Sequence, residues 1–344
     1  MDLAPRKKAI IAEIVKAYIE TGEPIGSKIL ATRLENAPSS ATLRNEMSDL
    51  CEMGYLEQPH TSAGRVPTKM AYKLYISELM PKTPLSKERK EIIDSMLEPA
   101  KSDPEAIGSA AADVLSKLTG LPVVSVTGSQ QGLRLKRISL MPVGRSVAVV
   151  FVVSEDGRTR NRLCSLSSPI DARLISVFDK ISSEKICSKD IAALDMAYLQ
   201  SVVASSGLDA LTLAPLFSCV FELAAQLKRT QVDMGGAANL FSLCPSDVQA
   251  KSILDLLSTG EVVHGILSSA TSPVEVVFGD QTEYSELKPT GLVVASYGKG
   301  NKYGKLAVIG PTRMAYENIL PSAAYVADRV GEMIGEVLKG LEEY

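Results

Sequence analysis

The chain has 344 residues, of which 45% are hydrophobic and 22% charged, with aromatics at 5% and no Trp. This composition excludes a disordered protein and allows two or three domains with cores of Ile, Leu, Val, Ala and Met. A formal net charge of −3 excludes a uniformly basic coat for nucleic acid, and no apolar run is long enough to span a bilayer.

A first helix is expected over Arg6 to Thr21, where Ile10, Ile11, Ile14, Val15, Tyr18 and Ile19 form one stripe before Gly22. Ser27 is placed to cap a second helix to Leu34. After a polar turn, a third helix is expected over Ser40 to Met53, stopped by Gly54. Its Leu43, Met47 and Leu50 recur at helical spacing and face inward, while Ala41, Thr42, Asn45 and Ser48 face outward with Arg44 at the flank. Tyr55–Gln58 and Val66–Pro67 read as two short strands around the loop Pro59–Arg65. Thr68 is placed to cap a further helix whose inward face is Tyr72, Tyr75, Ile76 and Leu79.

Pro81 and Pro84 open a linker, 81–103, whose SKERKE segment reads as charged and exposed. A helix follows over Pro104 to Gly120. Strand patterns then run over Leu121–Thr127, Leu133–Val143, Ser146–Ser154 and Arg158–Leu166, with a hairpin turn at Asp156-Gly157. Residues 171–230 are helical in pattern. Strands return at Pro273–Gly279, Thr290–Tyr297 and Lys305–Ile309, and a long helix closes the chain from Arg313 to Leu338. The order suggests an antiparallel α+β fold, with parts at 104–170 and 231–344 and the helical block 171–230 inserted between them.

Helix, short strand and basic loop in succession, from Ser39 to Thr68, make the DNA-facing half of a winged helix-turn-helix over residues 1–80. Those 80 residues hold ten Lys/Arg and ten Asp/Glu, yet between Gln58 and Ser77 the charges are Arg65, Lys69 and Lys73 alone. A local basic patch on a neutral domain suits a selective DNA contact. Arg44 has the donors for guanine and Asn45 the donor and acceptor for adenine, while Ser40 and Thr42 can reach phosphate with the helix amides. Arg65 suits a narrow minor groove. Without DNA, the same face would be a solvated surface or a protein contact.

Catalytic chemistry finds little support. There are two histidines, His60 and His264, and five scattered cysteines with no close pair for zinc or a redox dithiol. The chain reads as cytosolic and reduced, with free buried cysteines, no metal and no cofactor. Gly22–Lys28 misses the phosphate-loop spacing, and Gly298–Gly304 joins two strands where a dinucleotide turn must open a helix. The helix expected over Leu208–Lys228 has a broad apolar face that includes Leu216, Phe217, Val220 and Phe221. Periodicity does not separate a core from a dimer surface.

GEPIGSKILA, SSATLRNEM, GYLEQPHTSAGRVPT and the distant GKLAVIGPTRMAY together resemble the heat-inducible transcription repressor family HrcA of bacteria. The resemblance implies an N-terminal winged helix, a GAF-like domain and a helical dimerising domain inserted into it. It implies a homodimer on an inverted-repeat (CIRCE) operator before chaperone operons, relieved by heat, with the chaperonin GroEL supporting the active state. The DNA-contact candidates it carries over are Ser40, Thr42, Arg44, Asn45, His60, Thr61, Ser62 and Arg65. Ser48 and Lys69 join them from the reading of the helix face and the acid-free run. This sequence departs from the family pattern at Leu43 (usually Ile), Cys51 (often an acid), Ala71 (usually Gly) and Lys73 (usually Arg). The rival reading is a GAF-type regulator that senses a small molecule.

Overall fold

The structure, a computed structural model, describes residues 3–60, 63–127, 132–187, 189–205, 210–244, 246–298 and 303–342. It is a mixed α+β fold. The N-terminal unit has α1 (Pro5–Thr21), α2 (Ser27–Arg33) and α3 (Ser40–Glu52), then a hairpin of β1 (Leu56–Glu57) and β2 (Val66–Pro67). Gly22 ends α1 in the left-handed region, as its position in sequence suggested. The apolar stripes of α1 and α3 meet through Ile10, Ile14, Leu43, Met47 and Leu50, all buried. α4 (Lys69–Leu74) runs on into a π-helical turn, Tyr75–Leu79. Thr68 precedes α4 but does not cap it with its side chain. Its hydroxyl donates instead to the carbonyls of Gly54 and Tyr55 at 2.7 and 3.0 Å, tying the hairpin to the end of α3.

The stretch 81–103, expected to be an exposed linker, folds. α5 (Lys87–Leu97) is capped by Ser86, and a 3-10 turn follows at Glu98–Ala100. The charged SKERKE run is only its outer face; Ile93 and Leu97 are buried. α6 (Pro104–Thr119), capped by Asp103 and ended by Gly120, leads into β3 (Val123–Thr127).

At Thr127 the chain leaves the body. It forms β4 (Leu135–Pro142), β5 (Val147–Ser154) and β6 (Thr159–Ser165), then α7 (Ala172–Ile181), α8 (Met196–Ser205) and α9 (Ala210–Leu227). It returns at β7 (Gln231–Gly235), which pairs directly with β3 and places Gln231 opposite Thr127. The insertion is therefore the whole of 128–230, not the helical block 171–230. β4–β5–β6 form their own three-stranded sheet. Alternate residues of that sheet (Leu140, Ala148, Val150, Val152) share a core with Leu174, Phe178, Leu216 and Phe217. Strand pattern had assigned them to the body, because pairing is a long-range property that local alternation does not carry.

After β7, α10 (Asn239–Leu243), α11 (Asp247–Leu257) and α12 (Gly260–Ser268) precede β8 (Val274–Phe278), β9 (Thr290–Tyr297), β10 (Gly304–Pro311) and α13 (Tyr316–Glu342). The body sheet is antiparallel in the order β7-β3-β10-β9-β8. One face packs Val293, Ala295, Leu306 and Val308 under α6 and α13. The other packs Leu292, Val294, Ala307 and Ile309 under α10–α12. β9 is buried along its full length, the mark of a sheet covered on both faces. No helix among the described residues is long and apolar enough to cross a membrane.

The N-terminal unit is seated on the body. Tyr72 lies 6.4 Å from Phe278 and 6.1 Å from Tyr316, ring centroid to centroid. The Tyr75 hydroxyl donates to Glu317, and burial with that carboxylate beside it pushes its pKa far up.

Candidate nucleic-acid interface

α3 is built to present a polar face. Ser39 accepts the Thr42 backbone N–H at 3.1 Å, satisfying one orphan donor of the first turn. Leu43, Met47 and Leu50 anchor the inner side, so Ala41, Arg44, Asn45 and Ser48 emerge on the outside, all exposed. Two expected contacts are half-buried and already engaged. The Ser40 hydroxyl lies 3.0 Å from that of Ser27, clasping α3 to α2, and the Thr42 hydroxyl lies 2.9 Å from that of Ser39. Lys7 of α1 grips the back of α3, at 2.8 Å from Asp49 and 3.7 Å from Glu46. The two acids of α3 nearest Arg44 in sequence thus turn toward α1. This clamp was not foreseen, since it joins residues about forty positions apart.

The hairpin is three-stranded at its base. Ile25 bridges Arg65, with Ile25 N to Arg65 O at 2.9 Å and Arg65 N to Ile25 O at 2.8 Å. Gly64 explains the fit: a Cβ there would stand 2.4 Å from the Ile25 carbonyl carbon. Arg65 is half-buried and its Nε has no hydrogen-bond partner. His60 is exposed. Thr61 and Ser62 lie outside the described residues.

The acid-free run is acid-free only in sequence. Lys69 Nζ lies 2.6 Å from the Asp280 carboxylate, in the turn after β8. Lys73 Nζ stands 6.0 Å from the centre of the Phe278 ring. Both face the body, whereas neither Arg44 nor Arg65 has an ion pair with it among the described residues.

Leu216, Phe217 and Val220, expected at a dimer surface, are buried within their own chain. Phe217 stacks on Phe178 at 5.1 Å, and α9 packs on β5 and β6. Of the four, only Phe221 is half-exposed. The cysteines also differ from expectation: Cys219 is buried, its thiol pushed up to about 11 by desolvation, whereas Cys51, Cys164, Cys187 and Cys244 are half-exposed.

Residues 105–320 match the family model described as the HrcA protein C-terminal domain. The chain belongs to the HrcA family. The heat-inducible transcription repressor HrcA of Acetivibrio thermocellus is 30% identical over 99% of this chain and 100% of its own length. That of Pelotomaculum thermopropionicum is 28% identical over 99% of each. A hypothetical protein of known crystal structure shares the fold with a TM-score of 0.68, at 21% identity over 98% of this chain and 100% of that one. Within this HrcA chain the family model starts at α6 and ends in α13, so it covers the body and the insertion, and the full-length relatives extend the match over α1–α4.

Proposed function

We propose that this chain is a DNA-binding transcriptional repressor of heat-shock chaperone operons, acting as a homodimer on an inverted-repeat CIRCE operator and relieved by heat. The N-terminal unit is then a winged helix-turn-helix and the body a GAF-like domain. The observation that carries the reading is the outer face of α3: Arg44, Asn45 and Ser48 exposed together, Leu43, Met47 and Leu50 buried behind them, and the Arg65 hairpin alongside. The major groove admits one helix, and bidentate donors in its first turns discriminate bases. Full-length relatives named as heat-inducible transcription repressors support a repressor that responds to heat.

One such unit reads a half-site, so a two-fold operator needs a two-fold protein. In this reading the subunits meet on the outer face of the β4–β5–β6 sheet. Met141, Val149 and Leu163 stand in one cross-strand row there, with Met141 48% and Leu163 60% exposed. A contiguous apolar sheet face left open on one subunit is matched by the same face of a second copy. The chaperonin GroEL belongs to this reading as a modulator, through the family resemblance. A mobility-shift assay with an inverted-repeat chaperone-promoter fragment, against the same fragment with one half-site scrambled, tests the whole. Equal retention of both fragments sinks it.

A further inference from the structure

We propose that the cavity between the start of α5 and the start of α13 binds a small multivalent oxyanion, phosphate or a di- or tricarboxylate. The cavity is about 270 Å³ and is lined by Arg89, Arg313 and Asn318 over an apolar floor of Leu121, Met314 and Ile319. No carboxylate lines it. Neither Arg89 nor Arg313 has an ion pair with an acid among the described residues. Arg89 and Arg313 both line this small space with no acid beside them, and the planar forks of guanidinium groups suit an oxyanion.

Where the arginines stand strengthens the argument. The Arg89 backbone N–H donates to the capping Ser86, so Arg89 lies in the first turn of α5. Arg313 lies just ahead of the first turn of α13. A cation at a helix N-terminus is opposed by the macrodipole, and an anion bound beside it relieves that opposition. Glu317 is the acid of the first turn of α13, but it is taken by Tyr75 on the side of the N-terminal unit. The cavity is small and bounded by body elements, which favours a free small anion over a DNA backbone.

The site also touches the seam. The Arg313 guanidinium lies against Gly22, where an added Cβ would meet its Cζ and Nη1 at 3.3 Å. An anion held by Arg313 therefore fixes the group on which the end of α1 rests. Occupancy couples the body to the N-terminal unit, and the coupling is reciprocal.

The test is calorimetric titration of the full chain with sodium phosphate and, separately, with citrate, each against sodium chloride at matched ionic strength. Thermal melts in the same buffers run in parallel. We expect saturable binding of at least one anion and a melting temperature that rises with its concentration. The arm that binds tells phosphate from carboxylate. Arg89→Gln and Arg313→Gln should each weaken binding by about tenfold or more, as the loss of a charge-assisted hydrogen bond implies. Circular dichroism checks that both variants fold, and Arg89→Gln alone suffices if Arg313→Gln does not. No saturable binding above chloride, or binding unchanged in a folded variant, overturns the proposal. These readouts need no operator, so this inference and the repressor reading fail independently.

Discussion

Lys69 and Asp280 hold each other across the seam, Nζ to Oδ2 at 2.6 Å, one at the start of α4 and the other in the turn after β8. The pair joins the root of the hairpin to the edge of the body sheet. A DNA phosphate reaching Lys69 has to compete with that carboxylate.

Replacing Asp280 with Asn should release Lys69. The pair is partly exposed, at 37% and 43%, and exposed pairs contribute about 0–1 kcal/mol. Operator affinity should therefore rise by up to about fivefold at low salt, and the slope against log salt should steepen by about one phosphate equivalent. A salt titration that gives the same slope for both proteins would remove Lys69 from the DNA surface.

Arg44→Ala and Asn45→Ala should each cost about 1–3 kcal/mol on the operator and leave random DNA nearly unaffected. Both are exposed on α3 and neither supports its packing. Competition assays with specific and random duplexes measure the difference; equal losses on both would assign these side chains to the backbone.

Gly64→Ala should loosen the hairpin. The new Cβ meets the Ile25 backbone at 2.4 Å, and neither strand has a flexible side chain there to give way. Overpacking of this kind costs about 1–3 kcal/mol. Denaturant unfolding of the full chain reads the loss, and unchanged stability would show that the Ile25–Arg65 bridge is dispensable.

The two apolar faces of the insertion should separate in a paired experiment. Leu163→Glu, on the outer sheet face, should give a folded monomer by light scattering. Phe217→Ala, in the core, should cost about 3–5 kcal/mol of stability and leave the assembly of the folded fraction alone. A dimeric Leu163→Glu protein would place the subunit contact elsewhere.

The N-terminal unit was legible because its signals are local. The spacing of Leu43, Met47 and Leu50, the cap at Ser39 and the stop at Gly54 lie within one stretch of chain. β7 and α10–α12 were missed for the opposite reason. β7 alternates Val232 and Met234 with Gln231 and Asp233 over only five residues, too few for the alternation to stand out, and α10 is a helix of five residues with Leu240 as its buried anchor. The face of α9 was read correctly as apolar, but its partner is a sheet that the sequence order assigned to another domain. The Lys69–Asp280 pair joins positions more than two hundred residues apart, and no run of like charge in one segment announces it.

Thr127 and Gln231 are ladder partners, so everything from 128 to 230 leaves and re-enters through a doorway one strand spacing wide. For the unfolded chain, closing so long a detour costs about 3 kcal/mol more entropy than closing a short turn. Once the insertion has folded on its own core, its two ends are already neighbours and that cost disappears from the pairing of β3 with β7. An insertion that holds its own ends together thus lightens the closure cost carried by the β3–β7 pair, and one that loosens hands that cost back to the strands packed under α6.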